Sequence, residues 1–194
     1  MNKRMLLALG LAPVLSGCLG SAPKPAVNWT MEFERPAIAS PVGEVLTSGP
    51  VRLAQVNVRA PYNGARLAVL RADGSVAFDN YNQFAAPPPQ LVRNAVEDAL
   101  ECSGRFPGVI NAGSSVSTPY VVEAAVTRLA LDCRREGRRE AVAEVELMLI
   151  CDHKRVSVAR AGRSVPVTGG NFTEAFSEAL GAATTDAIRQ LKND

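Results

Sequence analysis

Residues 119–152 read PYVVEAAVTRLALDCRREGRREAVAEVELMLICD. They hold two long apolar-rich runs joined by a charged turn, RREGRRE. In the second run Val145, Leu147, Leu149 and Cys151 alternate with Glu144, Glu146 and Met148. That period of two predicts a half-buried strand, and the pair predicts an antiparallel sheet with one wet face. The turn gathers Arg134, Arg135, Arg138 and Arg139 with Glu136 and Glu140. It reads either as a solvated tip or as a contact for an anionic surface or acidic partner.

Working outward, RVSVARAGRSVPV (155–167) continues the sheet, with a bulge expected at Gly162. GGNFTEAFSEALGAATTDAIRQLK follows as a helix capped by Asn171 or Thr173. Its apolar stripe runs from Phe172 and Phe176 through Leu180 to Ile188 and Leu191. Upstream, VRLAQVNV (51–58) predicts a first core strand whose alternation slips once. In 65–79, Asp73-Gly74 between apolar runs marks a hairpin, because both residues tolerate positive φ. Val92, Ala95, Val96, Ala99 and Leu100 recur at helical spacing, with Pro89 at the first helical position and Ser103-Gly104 as the stop. FPGVINA is a short strand, and WTMEFERPAI an early edge strand ended by Pro36. The order predicts an α+β fold: two layers, a mostly antiparallel sheet and two main helices on one face.

The amino end carries a different signal. Lys3 and Arg4 precede an apolar run of about a dozen residues, too short to span a bilayer, which needs about 20. Leu15-Ser16-Gly17-Cys18 closes it and resembles the bacterial lipobox. The resemblance implies cleavage before Cys18 and acylation of that cysteine. The organisation expected is a signal peptide over 1–17, a lipidated, proline-rich linker over 18–49 and one domain over 50–194. Leu19, where an Asp would signal inner-membrane retention, implies the periplasmic face of the outer membrane. With Lys3 and Arg4 removed, nineteen basic side chains face nineteen acidic ones. That balance gives no footing for nucleic acid.

Three cysteines remain, Cys102, Cys133 and Cys151, in a compartment that favours disulfides. If 107–112 and 119–126 form a hairpin, Cys151 falls opposite about Glu123, near the end of the first helix. The expected bond is then Cys102–Cys151, with Cys133 left over. There is no C-x-x-C and one histidine, His153, so no metal or other cofactor is expected. Phosphate-loop, dinucleotide and nucleophile-elbow motifs are missing. The hydroxyl-rich loop at Ser114, Ser115 and Ser117 leaves a hydrolase as the remote reading.

Several stretches together are similar to one family. Tyr81, Phe84 and Pro87 match a Y-x-x-[WF]-x-x-P element, and Ser103-Gly104-Arg105-Phe106 matches S-G-x-F after the helix. The strand at 120–132 and the closing helix also match in order and spacing. The chain thus resembles the ABC-type transport auxiliary lipoproteins, the PqiC-like family. The resemblance implies a non-enzymatic periplasmic subunit that docks an MCE-domain lipid-transport assembly at the outer membrane. Tyr81, Phe84 and Pro87 are the first candidates for the partner contact, and homo-oligomers are compatible with this role. A stand-alone envelope assembly lipoprotein is the alternative.

Overall fold

The computed structural model describes residues 24–29, 42–111 and 113–192. Cys18, the lipobox and most of the expected early edge strand lie outside the described residues. The elements are β1 (Val27–Trp29), β2 (Val51–Val58), β3 (Arg66–Leu70), β4 (Val76–Phe84), α1 (Pro88–Cys102), β5 (Val109–Ile110), β6 (Tyr120–Asp132), β7 (Glu140–Cys151), β8 (Lys154–Pro166) and α2 (Phe172–Gln190).

The expected hairpin forms the spine. β6 and β7 pair antiparallel from Tyr120↔Cys151 to Asp132↔Glu140, with one irregularity between Val126 and Arg128. β8 returns along β7 through Asp152 and His153, both at positive φ. Left-handed backbone at both turn residues matches the strand twist in a two-residue hairpin. Gly162 is not a bulge. It pairs in register with Glu144, and a Cβ there would come within 3.1 Å of Glu144 Cγ. The slip between β7 and β8 falls at Leu149/Ile150 instead.

The other edge of β6 is shared. β2 pairs with it in parallel from Val121 to Val126, and β3 in parallel at Leu131 and Asp132. β5 lies outside β2 and runs parallel to it; β4 and then β1 lie outside β3. The fold is α+β, as expected, but its sheet is mixed. Parallel neighbours need long crossovers, and local alternation carries no information about them. The slip read in β2 is real: its register with β6 shifts between Leu53 and Val56.

One consequence corrects the cysteine pairing. Val109 pairs with Val51, so 107–112 and 119–126 form no hairpin, and Cys151 lies opposite Tyr120 rather than Glu123. α1 packs on β2 and β5, whereas β7 lies two strands from β2. That lateral offset alone is about 10 Å, beyond the Cα separation of about 7 Å that a disulfide tolerates. No disulfide joins Cys102 to Cys151. Cys133 lies past the opposite end of the thirteen-residue β6 and is a free thiol, as is Cys151. Burial pushes the Cys133 thiol pKa upward.

Both helices cover one face. α1 starts at Pro88, one residue before the expected position, where a missing N–H costs nothing. It buries Leu91, Val92, Val96 and Leu100. α2 lies on β7, β8 and α1. Asn171 caps it, accepting from the Glu174 N–H at 3.2 Å, while Asn171 Nδ2 donates to the Glu174 carboxylate at 2.6 Å. Ala175, Ala179, Ala183 and Ala187 on its buried face let the helix lie close to the sheet. The opposite face of the sheet buries a small cluster of Ala68, Leu70 and Ala130 beside Tyr62 and otherwise carries ion pairs between strands, Arg128–Glu144 at 2.8 Å among them.

The helices run parallel. Their N-terminal turns meet through Phe84, which precedes α1 and packs edge-on against Phe176 at 5.8 Å. Their C-terminal ends are joined by Arg105. Its Nη1 donates to the carbonyls of Ile188, Arg189 and Leu191 at 2.7, 2.9 and 3.0 Å, and its Nε donates to Glu44 O at 3.0 Å. One guanidinium thus satisfies carbonyls that a helix end leaves without intrahelical partners. Burial draws its pKa down, against the opposing charge of Glu44. Part of the stretch expected as linker belongs to this arrangement: Leu46 and Thr47 are buried, and Leu46 N–H donates to Arg105 O at 2.7 Å.

Candidate functional site

The β1–β4 edge is where the three candidate contact residues fall, and the structure separates them. β4 pairs with β3 at Ala68↔Phe78 and again at Arg66↔Gln83. Two steps along β3 therefore face five along β4, and 79–82 bulges outward. Asp79 holds the bulge. Its carboxylate accepts from the Tyr81 and Asn82 N–H groups at 2.8 and 3.0 Å and from Asn82 Nδ2 at 2.9 Å. Burial raises the Asp79 pKa, but the hydrogen bonds from Asn82 and Tyr81, with the charge of Arg139, outweigh it and hold the carboxyl below its ordinary value.

The bulge in turn holds β1. Asn82 Oδ1 accepts from Trp29 Nε1 at 3.1 Å, Gln83 Nε2 donates to Asn28 Oδ1 at 2.7 Å, and the Ala85 N–H donates to Trp29 O at 2.7 Å. Trp29 meets Phe172 edge-on at 5.1 Å, and the Arg139 guanidinium lies over the Phe172 ring at 5.1 Å. Trp29 thus packs onto the domain and ties the entering chain to the start of α2.

Tyr81 stands on the bulge, 47% exposed. Pro87 is exposed at the cap of α1. Phe84 is 5% exposed and belongs to the core. Side chains that sequence reading passed over complete the surface. Val27, Val76 and Phe78 are exposed, and Arg66 lies over the Phe78 ring at 5.3 Å. Four of the large apolar side chains exposed among the described residues therefore sit on β1 and β4. The alternation Val76-Ala77-Phe78 in the hairpin was the available signal for two of them. The bulge itself has no local signature beyond Asp79 and the asparagines.

A cleft beside this edge is lined by Trp29, Leu67, Phe84, Phe172 and Phe176. Its enclosed part has room for about one water. It is an opening between packed rings, too small for an acyl chain. Elsewhere, the hydroxyl-rich loop is fastened to β2: Arg52 donates to the carbonyls of Asn111 and Ser114 at 3.3 Å each and to that of Val116. Ser114 Oγ accepts from the Val116 N–H at 3.2 Å, so this hydroxyl shapes the loop. Among the described residues no acid, cysteine and histidine group is disposed to hold a metal ion, and no helix is long and apolar enough to cross a membrane.

No family model and no curated protein matches the chain. Solved structures do. A Xanthomonas campestris protein of the DUF330 family superposes with a TM-score of 0.62 at 20% identity, over 84% of this chain and 90% of its own. An uncharacterized protein follows at 0.56 and 16% identity, over 82% and 95%. A PelC subunit from a Paraburkholderia phytofirmans dodecamer reaches 0.45 at 15% identity, over 77% and 94%, too loose a likeness to bear on assembly. The chain shares its fold with a DUF330 protein over nearly the whole length of that protein.

Proposed function

We propose that the chain is a non-enzymatic lipoprotein, anchored through Cys18 at the periplasmic face of the outer membrane. In this role it docks an MCE-domain component of an ABC-type lipid-transport system. The observation that carries the docking role is the exposure of three large apolar side chains, Val76, Phe78 and Tyr81, along the single strand β4. Scattered surface apolar residues need no explanation, whereas several along one strand point to an interaction surface. A bulge that turns an aromatic outward beside a rigid proline supplies a preorganised contact, and interface anchors are enriched in Tyr. The resemblance of the Tyr81–Pro87 element and the closing helix to the auxiliary lipoproteins supports the partner's identity.

Phe78→Ser with Tyr81→Ser tests this reading. Both side chains are exposed, so each substitution should change stability by no more than about 0.5 kcal/mol. Crosslinked pull-down from a strain encoding an MCE-domain protein should recover that protein with the wild type and lose it with the double variant. Equal recovery by the variant would remove the β1–β4 edge from the contact. No recovery by the wild type would remove the transport role.

A further inference from the structure

The arginine turn between β6 and β7 lies outside the surface just described, yet the chain enters the domain beside it. β6 and β3 run toward this turn, β4 runs back, and β1 is parallel to β4. β1 therefore leads away from the turn, and its amino end points toward the turn. Contacts agree: the Cys133 N–H donates to Leu70 O at 2.9 Å, the Val167 N–H to Arg139 O at 2.8 Å, and Arg139 and Trp29 meet the same ring, Phe172. The turn between β7 and β8 lies at the opposite end of β7. Only five residues lie between Cys18 and Lys24, the first described residue, a reach of roughly 20 Å at full extension.

The charges at this end are unequally engaged. Asp132 pairs with Arg134 at 2.6 Å, and Glu140 accepts from Ser164 Oγ at 2.9 Å. The Asp79 and Asp73 carboxylates are taken up within their own turns. Arg134 is paired and Arg139 is stacked on Phe172. Arg135 and Arg138 bracket the turn, with the Arg138 N–H donating to Arg135 O at 3.1 Å, and neither side chain has an ion-pair partner among the described residues. Glu136 is the single acid between them.

We infer that the β6–β7 turn faces the membrane and that Arg135 and Arg138 contact the phosphates of anionic phospholipid headgroups. This rests on the reading of Cys18 as the lipid anchor. A tether of that length brings the turn to within reach of the headgroup layer, where the surface potential acts over a Debye length of about 10 Å. The planar guanidinium fork suits phosphate oxygens. The turn then fixes the domain's orientation and leaves the β1–β4 edge facing sideways.

The test uses the full acylated chain in phosphatidylcholine vesicles with and without phosphatidylglycerol, containing headgroup spin-labelled lipid. A fluorophore is placed through Glu136→Cys or, at the far end, His153→Cys, with Cys102, Cys133 and Cys151 changed to alanine. The Glu136→Cys label should be quenched when phosphatidylglycerol is present, and the His153→Cys label should stay bright. Arg135→Gln and Arg138→Gln should each lower the ratio of docked to free turn about fivefold, and salt should do the same. Equal quenching of the two labels, or quenching without dependence on phosphatidylglycerol, overturns the orientation. If the protein sediments with vesicles but the Glu136→Cys label stays bright, the orientation falls and the anchor stands. If it carries no acyl chain and does not sediment, both fall. Arginine variants that lose crosslinks to an acidic protein while quenching is unchanged would assign the turn to a protein partner instead.

Discussion

The two halves of the sheet are built on different terms. β6, β7, β8 and α2 follow unbroken patterns: twelve paired positions between β6 and β7 with one irregularity, and a helix whose apolar stripe is buried from Phe172 to Ile188. β1 and β3 are short and β4 is bulged, and side-chain hydrogen bonds hold the bulge against its own sheet. The first half hides its apolar side chains under α2; the second displays several of them. Regular pairing secures stability, and the irregular edge is where a surface can be shaped without disturbing the core.

The difference can be broken at its join. Phe176 is fully buried and meets Phe84, so it ties α2 to the end of β4. Phe176→Ala should cost about 3–5 kcal/mol, read as a lower urea midpoint, and should loosen both halves together. If amide exchange rises at the β1–β4 edge alone, the halves are less coupled than the ring contact implies. Arg105→Ala should come next, at about 2–3 kcal/mol, because it strands carbonyls at the end of α2. Exchange should rise first in the last turn of α2 and at Leu46, and a uniform loss would contradict a local clasp.

Asp79→Asn should have the smallest effect, on the order of 1 kcal/mol at neutral pH. It also sharpens the contrast, because its signature is a pH dependence. The folded-state pKa of Asp79 is lowered, so its contribution is present above the unfolded value of about 3.9 and is lost as pH falls through the folded value. Asp132, lowered chiefly by its hydrogen bond with Arg134, acts in the same direction. The wild type should lose stability below about pH 4, and Asp79→Asn should lose less over that window. Identical acid limbs would show that the bulge is held by something other than the carboxylate.

Legibility followed the same divide. The strands at 51–58, 120–132 and 140–151, the hairpin at Asp73-Gly74 and both helices could be read because period and capping are local properties. The parallel pairing of β2 with β6 could not, since it depends on a crossover and leaves no mark in either strand's alternation. The Cys102–Cys151 pairing failed for that reason: it assumed that 107–112 paired with its neighbour in sequence. Phe84 looked like a contact residue because the motif carries it together with Tyr81. The bulge that sends Tyr81 outward while Phe84 turns inward is set by the Asp79 carboxylate bonding residues two and three positions on, a local signal that alternation does not carry.

The parallel pairing also bears on the order in which the chain assembles. Arg52 waits nearly sixty residues for Ile110 on β5 and longer for Val121 on β6, and β3, paired early with β4, waits for Leu131 to fill its other edge. β6 and β7, by contrast, meet across a short turn as soon as both exist. Contacts so distant in sequence are slow to close, and a chain synthesised amino end first exposes the edges of β2 and β3 throughout that wait. Sequence separation makes the C-terminal hairpin the expected nucleus, with the N-terminal strands joining its free edge later. In the interval this chain is most open to capture by a chaperone or to aggregation, and mutations that weaken β6 should slow folding more than equal losses placed in β1.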